Sequence, residues 1–199
     1  MGKGRLEAFS DGVIAIIITI MVLELRPPHE AKLHELFLLW PKALSYAMSF
    51  IYVGIYWNNH HHLWHAARKV NGAILWANLH LLFWLSIVPF ATDWMGETTF
   101  SAVPVGVYGV VLLMAAISFT ILVRTMIAVH GRDSLLAKAV GADNKGKLSI
   151  LLYLLGIAST FVSAWLGFGL YSIVAMIWLV PDTRIEKRFE AAGEGAEHS

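Results

Sequence analysis

Long runs of apolar residues, separated by short polar stretches, form the main pattern along this chain. A helix that crosses a bilayer needs about 20 mostly apolar residues, and windows of that length predict six spans. The first is closed by Arg26, Pro27 and Pro28, because proline cannot continue a helix. Gly167 and Gly169 predict a tight turn between the last two. The predicted spans cover about residues 5–25, 38–64, 71–94, 104–129, 147–166 and 169–180.

Lysine and arginine are concentrated in alternate loops, which predicts how the spans are oriented. Most of them precede the first span, lie between the second and third or the fourth and fifth spans, or follow the sixth. Only Arg26, Lys32 and Lys42 lie around the first-to-second loop. The alternation predicts a multi-pass protein of the inner (plasma) membrane with both termini cytoplasmic. Four tryptophans near predicted helix ends are expected to anchor them at the interface: Trp40, Trp64, Trp94 and Trp178.

Composition supports an all-α integral membrane protein. Hydrophobic residues make up 57% of the 199 and charged residues 15%, against about 45–50% and about 25% in soluble domains. A net charge of +1 gives no indication of a nucleic-acid partner, and the lack of cysteine excludes thiol chemistry and disulfides. We expect one transmembrane domain over residues 1–185 and an acidic, disordered tail over 186–199.

The first predicted helix combines an aliphatic stripe with a polar pair on a different face. At about 100° per residue, one narrow face carries Ile16, Ile20 and Leu23, with Thr19 at its edge. Ser10 and Asp11 point about 120–140° away from Ile16, and a carboxylate inside a span needs a partner or a place near the interface. Periodicity alone leaves two explanations open for the stripe, and helix packing is favoured over the lining of a pore. Phe9 and Gly12 continue the stripe, whereas Ile17 and Val22 lie off it.

Histidines are clustered at the end of the second predicted helix, from His60 to His65. His61 and His65 have the i,i+4 spacing of one helical face, which is compatible with a metal site. We expect no carboxylate near them, and the chain has no cysteine, so we expect no metal and no cofactor. His60 and Asn78 are at about the depth of the polar pair, which predicts a polar cluster joining helices one, two and three.

Motifs in the first three helices resemble one known family. These are Arg5-x-x-x-Phe9-Ser10-Asp11, Trp57-x-x-His60, Asn78, and Pro89-Phe90-x-Thr92. Together they resemble the prokaryotic members of the transmembrane protein 175 family, the channels related to the lysosomal potassium channel of animals. The resemblance covers about the first half of the chain.

The resemblance implies a six-helix subunit, a homotetramer and a pore lined by helix one. It implies a non-enzymatic potassium channel that lacks the usual carbonyl filter, with K⁺ as the permeant ion. The implied hydrophobic constriction consists of Ile16, Ile20 and Leu23, with Thr19 beside it. The implied motif and interhelical network consists of Arg5, Phe9, Ser10, Asp11, Trp57, His60 and Asn78. The alternative is a proton-coupled transporter or a histidine-based, metal-dependent membrane enzyme.

Overall fold

Helices account for almost all of the chain that the computed structural model describes, namely residues 2–28, 30–67, 69–131, 133–140 and 143–179. The acidic tail predicted for residues 186–199 lies outside these residues. The eight helices found among them are α1 (Lys3–Leu23), α2 (Leu33–Leu38), α3 (Trp40–Ala66), α4 (Gly72–Glu97), α5 (Ala102–His130), α6 (Leu135–Val140), α7 (Asn144–Ser159) and α8 (Ala164–Leu179).

Six of these helices correspond to the six predicted apolar runs: α1, α3, α4, α5, α7 and α8. The short helices α2 and α6 were not expected, because six residues are too few to show a periodic pattern. Three of the described helices are long and apolar enough to cross a membrane, namely α1, α4 and α5. The 27 residues of α3 are long enough but more polar, and α8 is apolar with only 16 residues.

The bundle is organised around α4 and α5, which pack on each other and connect its two halves. On one side α4 contacts α1 and α3, and on the other α5 contacts α7 and α8. At one end of the bundle Lys42, near the start of α3, is 3.1 Å from Glu97 and 3.8 Å from Asp93 at the end of α4. The antiparallel pair α3–α4 therefore carries its own ion pairs at that end.

Several polar side chains inside the bundle form hydrogen bonds from one helix to another, which a membrane interior favours. The Ser49 hydroxyl lies 3.0 Å from the Tyr108 hydroxyl and 2.7 Å from Thr92 Oγ1, which joins α3, α5 and α4. The Tyr52 hydroxyl donates to the carbonyl of Tyr171 at 2.5 Å and so joins α3 to α8. These bonds fix the orientation of helices whose apolar surfaces alone would allow several.

The predicted turn at Gly167 and Gly169 is wrong. The chain turns earlier, between Ser159 and Ala164, and both glycines lie inside α8. Gly167 is buried where α8 crosses α7, and a Cβ there would lie 2.7 Å from Thr160 Cγ2 and 2.9 Å from the Gly156 carbonyl oxygen. The glycine serves a close approach of two helices, which is a common use of small residues in membranes.

This packing predicts opposite effects for two neighbouring substitutions in α8. Gly167→Ala should lower the apparent melting temperature, because overpacking costs about 1–3 kcal/mol. Gly169→Ala has no atom within 4 Å of the added carbon and should raise it slightly, since alanine favours a helix over glycine by about 1 kcal/mol. Tryptophan-fluorescence melting in mild detergent would show the difference. Equal destabilisation by both substitutions would instead indicate a turn at these glycines.

Candidate functional site

Helix α1 presents one face to the bundle and the opposite face to the surroundings of the subunit. The buried side chains recur every three or four residues and comprise Leu6, Ser10, Ile14, Ile17 and Met21. They contact α3 and α4. Among them only Ser10 is polar, so the buried face of α1 is apolar except at this one side chain.

The aliphatic stripe predicted from the sequence lies on the exposed face. Ile16 is 58% exposed, Ile20 43% and Leu23 74%. Thr19 is also exposed, and its hydroxyl lies 2.9 Å from the carbonyls of Ala15 and Ile16 in its own helix. Helix packing within the subunit therefore does not explain the stripe.

The buried polar pairings of α1 reach across to α4 and α3. The side-chain amide of Asn78 donates to Ser10 Oγ at 2.9 Å, and the Ser10 hydroxyl donates to the Leu6 carbonyl at 2.9 Å. Asn78 Oδ1 lies 2.8 Å from His60 Nε2. Ser10, His60 and Asn78 are all buried. One continuous line of polar contacts thus joins α1, α4 and α3.

Trp64 completes this line and was not foreseen as part of it. Its indole N–H donates to His60 Nε2 at 2.8 Å, and the side chain is fully buried. The expectation that Trp64 anchors the helix at the membrane interface is therefore wrong. Because a ring nitrogen offers one lone pair or one hydrogen, Nε2 satisfies either Trp64 or Asn78 at one time. The other ring nitrogen, Nδ1, is buried without a hydrogen-bond partner among the described residues.

Asp11 is paired separately from Ser10, at the edge of the bundle. The indole N–H of Trp57 donates to Asp11 Oδ1 at 3.1 Å. Arg5 and Phe9, the other two motif residues, are exposed on α1. The structure therefore divides the predicted network into two groups, Ser10–Asn78–His60 and Asp11–Trp57. It leaves Arg5 and Phe9 outside both.

One turn towards the start of α1, Glu7 meets the histidines of α3. Glu7 Oε1 lies 3.7 Å from His61 Nδ1, and His61 Nε2 lies 3.0 Å from His65 Nε2. The sequence-based expectation that no carboxylate is near these histidines is therefore wrong. Glu7 and Asp11 are four residues apart on α1, and Trp57 and His61 are four residues apart on α3. Because such residues lie on one face of a helix, this spacing could have indicated that Glu7 is near His61 if Asp11 pairs with Trp57.

Comparisons with known proteins define the class of this bundle. The model of the family described as endosomal/lysosomal potassium channel TMEM175 matches residues 5–89. A potassium channel of Chryseobacterium sp. (strain P1-3) is 56% identical over 187 residues, which cover 94% of this chain and 97% of that protein. A potassium channel of Streptomyces collinus is 32% identical over 203 residues, with 96% and 98% covered.

A solved structure extends the similarity to the fold. The crystal structure of a lysosomal potassium-selective channel TMEM175 homologue from Chamaesiphon minutus superposes with a TM-score of 0.76 at 30% identity. The match covers 89% of this chain and 96% of that chain. The bundle is thus that of a multi-pass membrane channel, which is not an enzyme fold. The chain belongs to the TMEM175 family, among its bacterial members.

The buried polar line predicts that Asn78 is needed for stability. Asn78→Ala should leave Ser10 and His60 without a partner between helices, at a cost of about 1–3 kcal/mol. The control is Asn59→Ala, because Asn59 bonds only the Ile55 carbonyl of its own helix at 2.8 Å among the described contacts. That change should alter stability by less than about 0.5 kcal/mol. Thermal melting in detergent checks both, and equal stability of the two variants would contradict the anchoring role of Asn78.

Proposed function

We propose that this protein is a potassium-selective cation channel whose ion path runs along the exposed face of α1. The observation that carries the proposal is the two-sided character of α1, which has a buried polar anchor at Ser10 and an exposed aliphatic stripe at Ile16, Ile20 and Leu23. The bacterial relatives, which match over nearly their whole length, are named as potassium channels. The sequence contains no Thr-Val-Gly-Tyr-Gly segment, the motif whose backbone carbonyls select K⁺ in other potassium channels. We therefore propose that side chains select K⁺ here.

A pore of this kind needs several copies of α1 around one axis, and we propose a homotetramer. Each subunit would contribute six spans, with α1 nearest the axis, both termini in the cytoplasm, and the whole in the plasma membrane. A closed ring of identical subunits is the usual form of a homo-oligomer. The support for this arrangement is that the stripe is not covered by other helices of its own subunit.

Four copies of the stripe would form a narrow hydrophobic constriction. Ile16, Ile20 and Leu23 cover about 10 Å along the axis at 1.5 Å per residue. Desolvating an ion in apolar surroundings is very costly, so such a segment conducts only when it widens or fills with water. The exposed Thr19 adds a hydroxyl beside it. Small rotations of α1 about its anchor would be enough to move these side chains relative to the axis.

The deciding experiment for the function is planar-bilayer recording of the purified protein between asymmetric KCl and NaCl. A potassium channel should give currents that reverse near the potassium equilibrium potential and that need no coupling ion. A proton-coupled transporter should instead acidify or alkalinise proteoliposomes as substrate moves, and its transport should depend on the pH gradient. Currents absent in every ionic condition would contradict the channel.

Two exposed positions on α1 test the ion path. Ile16→Asn should keep the constriction wet, hold the channel open and weaken discrimination between K⁺ and Na⁺. The matched control is Val22→Asn. Val22 is exposed as well, at 43% against 58% for Ile16, but it lies about 120° around the helix from Ile16. Ile17 is a poor control, since it is only 3% exposed and a polar substitution there would disturb folding.

Conductance and reversal potential under bi-ionic conditions are the quantities to compare. We expect Ile16→Asn to increase open probability and shift the reversal potential towards zero, and Val22→Asn to resemble the parent. If Ile16→Asn leaves both quantities unchanged, or if Val22→Asn changes them equally, the ion path does not follow this face.

A further inference from the structure

Three possible metal ligands meet where the start of α1 approaches the end of α3. Glu7 comes from α1, and His61 and His65 come from successive turns of α3. One ligand atom from each lies within 4.8 Å of the others. The group is half-buried at Glu7 and His61 and exposed at His65. It lies one helical turn beyond the Asp11–Trp57 contact and plays no part in the proposed ion path.

We propose that Glu7, His61 and His65 form a binding site for a divalent transition metal of the zinc class. Imidazole nitrogens favour zinc and its neighbours over magnesium or calcium, and two histidines with one glutamate are a known set of protein ligands for zinc. The bound metal would connect α1 directly to α3.

The distance between the two histidine nitrogens is close to the one that zinc requires. Two nitrogens at 2.0–2.1 Å from a tetrahedral zinc are about 3.3 Å apart. The Nε2 atoms of His61 and His65 are 3.0 Å apart, so a small opening of the two rings admits the metal. Glu7 Oε1 lies 3.7 Å from Nδ1, the other ring nitrogen of His61, so its side chain must turn towards Nε2 to complete the ligand set. Three protein ligands leave the fourth position to water.

The surroundings hold the central ligand in place. The ring of Trp57 stacks on His61 with centroids 5.9 Å apart and planes at 22°. The same indole donates to Asp11, so the orientation of His61 is fixed from the α1 side as well. A ligand that is held in one orientation before the metal binds loses less conformational freedom on binding.

The consequence for conduction rests on the proposed channel. Rotation of α1 about its anchor is the movement that would open the constriction, and Glu7 lies on α1 only three residues before Ser10. A metal that joins Glu7 to α3 would oppose that rotation. Zinc supplied to the side of the membrane where α1 begins should therefore reduce potassium flux.

Calorimetric titration of the detergent-solubilised, tag-free protein with zinc chloride tests the site without any channel measurement. The parent should bind one zinc per chain, and cobalt chloride should give the intense visible absorption of tetrahedral coordination. Glu7→Gln, His61→Ala and His65→Ala should each weaken zinc binding by at least about tenfold. The control is His62→Ala, which also removes one of the nine histidines but leaves the three ligands, and it should bind as the parent does.

Two results would overturn the site: a parent that binds no zinc at a one-to-one ratio, or ligand variants that bind as tightly as His62→Ala. In the first case the two histidines share only a hydrogen bond. Melting curves of each variant without metal show that it is folded. A flux assay with zinc then tests separately whether the bound metal restrains the rotation of α1. Undiminished potassium flux in the parent at saturating zinc would disprove this restraint, while the titration would still uphold the metal site. Absence of any potassium flux, with or without zinc, would count against the channel alone.

Discussion

The hydrogen bond between Asn78 and Ser10 is the contact on which the arrangement of α1 depends. Among the described residues it is the one hydrogen bond to another helix that a buried side chain of α1 makes. No water is present in a membrane interior to form hydrogen bonds with a buried amide and hydroxyl. Their pairing with each other therefore selects one rotation of α1 about its axis. His60 and Trp64 continue the line into α3.

Fixing that rotation determines what the rest of α1 can do. With Ser10 directed into the bundle, Ile16, Ile20 and Leu23 point away from it. A face that is not used for packing within the subunit is free to meet other copies of the chain or the ion path between them. The polar anchor and the aliphatic stripe are thus two consequences of one rotation of α1. The same rotation turns Glu7 towards His61 of α3.

The sequence could predict the features that a single segment of the chain determines, and it could not predict those that depend on contacts between distant segments. The apolar runs predicted six of the helices. The helical period alone placed Ser10 and Ile16 on different faces of α1. The turn after α7 could not be located, because Gly167 fits a turn and a close helix crossing equally well. A tryptophan near a helix end, such as Trp64, is compatible both with a place at the membrane interface and with a place in the core of the bundle. The meeting of Glu7 with His61 depends on the antiparallel register of α1 and α3, which no single segment encodes.

The most direct test of the central claim is whether the stripe on α1 faces the ions. The chain has no cysteine, so a single thiol can be placed at Ile20 or at Val22 without background. Silver is a soft monovalent cation that binds thiolate, and it can follow a path open to potassium. Silver should block current through Ile20→Cys channels irreversibly and leave Val22→Cys channels conducting. Block of Val22→Cys with Ile20→Cys unaffected would contradict the proposed pore.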